Sequence, residues 1–105
     1  MTKDKHKTDV VFRVDTTKEW KGTIFALLPH EVSDSKGNVT SYQHIGQHSG
    51  ADYPYSIRTS RPATQKEYKA LKREMESLGY NLNIIKRRNY TKFLKSFKLM
   101  SGAIG

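Results

Sequence analysis

The sequence predicts an α+β fold: a small, mainly antiparallel sheet of roughly three to five strands, one helix packed across it, and a second, amphipathic helix at the C-terminal end. Three observations point there. Short apolar runs bounded by turn residues fill the first half of the chain. Residues Thr64 to Tyr80 carry a complete set of helix start, stripe and stop signals. A second apolar stripe, with lysines mostly off it, runs from Tyr90 to Met100.

Val10-Val11-Phe12-Arg13-Val14 is β-branched and aromatic, which suits a strand. Asp15 to Gly22 is polar, ends on glycine and reads as a connection. Thr23 to Leu28 is nearly all apolar and stops at Pro29. It is too short for a helix and reads as a central strand buried on both faces. Asp34-Ser35-Lys36-Gly37-Asn38 is a turn signal. Val39 to Ile45 resumes a strand, with Val39, Ser41, Gln43 and Ile45 on one face and Tyr42 and His44 on the other. Three strands with short links should form a meander. Gly46 to Tyr55 is a loop by composition, and Tyr55 to Arg58 a short strand.

Thr64 is placed to cap a helix, with Glu67 closing a capping box. Tyr68, Leu71, Met75 and Leu78 form its buried stripe. Gly79 falls where a left-handed residue is wanted and Tyr80 where the closing apolar residue packs back, a Schellman end. Residues 81–85 alternate as a further strand. Tyr90, Phe93, Leu94, Phe97 and Met100 then recur at helical spacing, ahead of a frayed end at Gly102 to Gly105. Residues 1–9 are expected to be a disordered start, 10–88 one domain, and 89–105 a basic helix or tail.

Charge narrows the function. The chain has 105 residues with 19 Lys+Arg against 10 Asp+Glu, a net charge of +9. Residues 86–105 contribute Lys86, Arg87, Arg88, Lys92, Lys95 and Lys98 with no acid, so two-thirds of the excess lies in the last fifth of the chain. Clustered cations reward a polyanion through counterion release; surface charge that serves solubility alone is the other reading. With no cysteine, disulfides, thiolate zinc sites and cysteine nucleophiles are excluded. No apolar run approaches the ~20 residues of a membrane span, and no apolar segment follows the charged start as a secretory signal does. A cytoplasmic setting is expected.

The strings Phe12-Arg13, Ala26-Leu27-Leu28-Pro29, Tyr42 to His48, Ser60-Arg61-Pro62-Ala63-Thr64 with Glu67-Tyr68, and Glu74 with Gly79-Tyr80-Asn81-Leu82 resemble a family of short uncharacterised proteins carried by bacterial phages, plasmids and conjugative elements. The resemblance covers about residues 11–88 and leaves the basic tail outside it. It implies a mobile-element setting and a small stand-alone domain. It brings no catalytic residue and no cofactor.

Candidate sites stand beside plainer readings. His44, His48 and Asp52 have the four-residue spacing of metal ligands on a helix, but Gly46 and Gly50 interrupt them, so no metal is expected. His48, Ser49 and Asp52 are triad residue types without a nucleophile-elbow context, so no catalytic residue is assigned. Arg58 and Arg61 precede the capped helix and suit an anion; Arg61 alternatively pairs with Glu67. Lys86, Arg87, Arg88, Lys92, Lys95 and Lys98 interleave with aromatics, as in proteins that bind phosphates and stack on bases. The same stretch also reads as a membrane-surface or groove-filling helix, or as a stripe docked on the core with its lysines outward. Trp20, Tyr42, Tyr53 and Tyr55 are candidate protein contacts. The reading is therefore a non-enzymatic accessory protein that binds nucleic acid or another polyanion. The alternative is a modulator of a host protein.

Overall fold

The computed structural model describes residues 7–44 and 47–101, with only the backbone of Gln47, Met100 and Ser101. The elements are β1 (Thr8–Asp15), β2 (Ile24–Val32), β3 (Val39–Gln43), β4 (Gln47–Ala51), α1 (Tyr53–Arg58), β5 (Ser60–Pro62), α2 (Gln65–Ser77), β6 (Leu82–Ile84) and α3 (Tyr90–Ser101). Residues 1–6, Ile45 and Gly46, and the end at 102–105 lie outside the described residues, and the expectations made for them lie there too. Among the described residues no helix is long and apolar enough to cross a membrane.

The fold is α+β, with a mainly antiparallel sheet of six strands rather than three to five. Strands run in the order β4-β3-β2-β1-β5, and β6 also pairs with β1. Strands β5 and β6 share one edge of β1, because alternate residues of a strand point their backbone groups to the same side. Thr8 N–H donates to Asn81 O, Val10 O accepts from Ile85 N–H, and Phe12 O accepts from Ala63 N–H. The pair β1–β6 is parallel and all the others are antiparallel. β1 starts at Thr8, earlier than expected, because Thr8 and Asp9 pair with Leu82 and Asn83.

Strand alternation sorts the core into two halves. Val10, Phe12, Ala26, Leu28 and Tyr42 face α2, which adds Leu71 and Met75. Val11, Phe25, Leu27, Val32 and Val39 face α1 and α3, which add Tyr53 and Phe93. The sheet is thus covered on both sides, which is why β1 and β2 carry apolar residues at nearly every position. A buried large apolar side chain contributes about 1.5–3 kcal/mol, so docking Phe93 is a material share of stability in so small a domain.

Helix α2 has the predicted ends. Thr64 and Glu67 bond each other's backbone N–H, and Tyr80 N–H to Met75 O with Gly79 N–H to Glu76 O makes the Schellman close. Helix α3 docks through Phe93, which stacks on Phe97 5.8 Å away. Both rings lie against Gly37, whose φ of +89° turns the chain between β2 and β3.

Two elements depart from the sequence expectation. The loop expected over 46–55 contains β4 and the start of α1, and Tyr55 to Arg58 is helix rather than strand. The Asp52 carboxylate caps α1 by accepting from Tyr55 N–H, and Pro54 sits in the first turn, where its missing N–H costs nothing. The extended segment follows instead at Ser60–Pro62.

Candidate nucleic-acid interface

The described acids serve mostly local structure. Asp15 accepts from Thr17 N–H, Asp34 from Lys36 and Asn38 N–H, and Asp52 from Tyr55 N–H. Glu67 closes the α2 cap and takes a bidentate pair from Arg61 at 2.6 and 2.9 Å. The Arg61 bonds, helped by Thr64 N–H, hold its pKa down to about 2. Glu74 accepts from the Tyr42 hydroxyl and contacts His44. Among the described residues, carboxylates pair with the cations Arg61, Lys72 and Lys92 and otherwise with histidines. Most of the positive excess therefore stays on the surface.

The predicted anion-binding residues separate into groups. Arg61 belongs to Glu67, as the plainer reading had it. Arg58 lies over the Tyr55 ring at 5.6 Å on exposed α1. Arg88 is enclosed by its own chain, with its guanidinium 4.0 Å from the Phe93 centroid and 4.5 Å from that of Tyr53. Its backbone N–H donates to the Tyr53 hydroxyl, which pins the start of α3 to α1. Lys92 donates to Asp9 at 2.7 Å. Lys86 and Arg87 are exposed just past β6, and Lys95 and Lys98 are exposed on α3. Arg61 is paired opposite Val14 while β6 ends opposite Val10, which separates the two groups by about 13 Å along β1.

Around Asp9 the structure builds a polar pin that the sequence did not suggest. His30 Nδ1 meets Asp9 at 2.9 Å, and Asn89 N–H donates to His30 Nε2 at 2.7 Å. The neutral ring therefore carries its proton on Nδ1 and gives it to Asp9. Burial, with Lys92 and Arg88 nearby, holds the His30 pKa below its ordinary value against the pull of Asp9. Burial also acts to raise the Asp9 pKa, but hydrogen bonds from Lys92, Asn83 and His30 outweigh it and lower it.

The sequence reading also passed over the charge on α2. At 100° per residue, Lys66, Lys69, Lys72 and Arg73 fall within an arc of about 120° that also holds Glu76, while Glu67 and Glu74 lie on the far side. That segregation was available from spacing alone.

The catalytic and metal candidates do not converge. His48 sits edge-on to Tyr42 and bonds the Tyr80 hydroxyl, whereas Ser49 pairs with Ser41 on the opposite face of the sheet. Asp52 is a helix cap. Among the described residues no three His, Cys, Asp or Glu side chains are placed to hold a metal. Of the aromatic contact candidates, Tyr42 is 0% exposed and Tyr53 is buried under α3, so both are core residues. Strand alternation turned Tyr42 inward, and the docking of α3 covered Tyr53. Trp20 at 60% and Tyr55 at 53% remain on the surface.

A scan of this chain against protein-family models finds no match, and neither does a search of curated proteins or of solved structures.

Proposed function

We propose that this protein is a non-enzymatic accessory protein that binds nucleic acid or another polyanion through its basic surface. The observation that carries the reading is the fate of the carboxylates. Asp15, Asp34, Asp52 and Glu67 are taken up by caps and turns, and Lys86, Arg87 and Lys95 stand exposed on and beside α3 without a carboxylate partner among the described residues. Lysines without a planar, bidentate arrangement suit phosphates and not base edges, so sequence preference should be low. The mobile-element setting implied by the resemblance, and a cytoplasmic location, belong to the same proposal.

The test is fluorescence anisotropy of a labelled duplex titrated with the full chain at several salt concentrations. Affinity should fall steeply between about 50 and 200 mM salt. The triple variant Lys86→Gln, Arg87→Gln, Lys95→Gln should bind more weakly and with a shallower slope. Binding that ignores both salt and these substitutions would remove the reading.

A second reading has one observation in its favour. Trp20 stands 60% exposed on a turn that Thr17 fixes by accepting the Trp20 N–H, an arrangement suited to anchoring a protein partner. Capture of a host protein from nuclease-treated lysate, lost on Trp20→Ala, would favour it.

A further inference from the structure

Helix α2 and strand β6 enclose a groove of about 560 Å³ whose walls include Lys66, Lys69, Lys72 and Arg73, with Ile84 beside them. Its acid, Glu76, is bonded to Lys72 at 2.7 Å. Lys66, Lys69 and Arg73 pair with no carboxylate among the described residues. They lie at steps of three and four, so they follow one another along about 10 Å of helix. Over that length one strand of a duplex presents about three phosphates. Ile84 is 39% exposed, an apolar surface for sugar or base beside the cationic wall.

The topology sets the end of β6 near the start of α2. Ile85 N–H donates to Val10 O at 2.9 Å and Ala63 N–H to Phe12 O at 3.0 Å. These acceptors are two residues apart on one strand edge, so the two chains leave the sheet about 7 Å from each other. One runs into Lys86 and Arg87, the other into the cap of α2 and Lys66. Past that point the link after β6 turns to the other face, since Ile85 packs on the α1 and α3 side and Arg88 lies over Tyr53 and Phe93 there, so Lys86 and Arg87 stand at the sheet edge outside the groove lining.

We infer that this groove seats the sugar-phosphate backbone of a nucleic-acid strand, and that α3 is a structural helix whose charge is secondary. The inference rests on the polyanion reading and gives that reading a place. A concave wall of spaced cations fits a strand. A bilayer surface is met instead by a helix with its apolar face outward, and α3 has Phe93, Leu94 and Phe97 of that face docked.

The experiment compares two charge-neutralised sets in the full chain, using a labelled single strand and its duplex. Lys66→Gln, Lys69→Gln, Arg73→Gln should lose about tenfold or more in affinity at physiological salt and flatten the salt slope by about two to three. Lys95→Gln, Lys98→Gln on α3 should lose clearly less than the groove set, about threefold or less, because they remove only diffuse attraction. Lys66→Arg, Lys69→Arg should retain binding, which separates charge from fold. The tighter probe identifies the form of the strand. If the α3 set carries the loss, or both sets lose equally, the groove assignment falls while the polyanion reading stands. If the parent chain binds neither probe, both fall.

Discussion

Arg13 and Arg88 show how a cation in this chain is used for structure. Arg13 is 8% exposed, on the sheet face under α1. Its Nε donates to Ser60 Oγ, and its Nη2 to the carbonyls of Ile57 and Ser60 at 3.1 and 2.9 Å. Burial lowers its pKa from the ordinary arginine value, with the Tyr53 hydroxyl acting against that. The side chain thus ties α1 and β5 to β1. Arg13→Ala should destabilise the fold by about 2–3 kcal/mol, since it strands two carbonyls and opens space. A lower urea midpoint with an unchanged m-value is the expected readout. Arg88→Gln should cost about 1 kcal/mol through lost contact with the rings of Phe93 and Tyr53, and should leave polyanion affinity within about twofold of the parent. An affinity loss matching that of the groove variants would instead place Arg88 in the interface. Nothing in the order Lys86-Arg87-Arg88 tells the caged arginine from its exposed neighbour, because the cage is assembled from α1 and α3.

At the scale of elements, legibility follows how local the cause is. The cap, stripe and stop of α2 all lie within one stretch of chain, so Thr64, Glu67 and Gly79 could be read directly. The strand Gln47–Ala51 could not. Glutamine, histidine, serine, glycine and alanine are weak strand formers, and β4 exists because its backbone pairs with β3 from Val39 to Gln43. Helix α3 was legible as a stripe but its anchor was not, because Asp9, His30, Asn83 and Lys92 come from four elements. That anchor makes docking pH-dependent. The folded His30 pKa lies below its unfolded value, so its contribution is complete above about pH 6.5 and is lost as pH falls through the lowered folded value. Protonation removes the acceptor for Asn89 N–H and sets a positive ring beside Lys92 and Arg88, with Asp9 the opposing charge. Hydrogen exchange should show α3 amides losing protection on acidification before those of β1 and β2, and His30→Gln should flatten that dependence. Equal loss across helix and sheet would exclude a local device.

The whole molecule joins these scales. Its net charge of +9 was plain from composition, as was the concentration of that charge near the C-terminal end. The arrangement was not, because it depends on β5 and β6 meeting on the same edge of β1, where Ala63 bonds Phe12 and Ile85 bonds Val10. That meeting sets the end of β6 near the start of α2, whose cations the sequence reading had not sorted by face. It also separates Lys86 and Arg87 from Arg58 and Arg61, the other predicted anion-binding residues. What results is a three-layer body with exposed cations on α2 and after β6, and with Asp15, Asp34, Asp52 and Glu67 engaged in caps and turns. The most direct measurement is the salt dependence of binding between the parent chain and a labelled nucleic-acid duplex. The expected result is a linear fall of log affinity with log salt, with a slope corresponding to about four to six phosphates. No binding at low salt, or an affinity unchanged across that range, would contradict the proposed role of the basic edge.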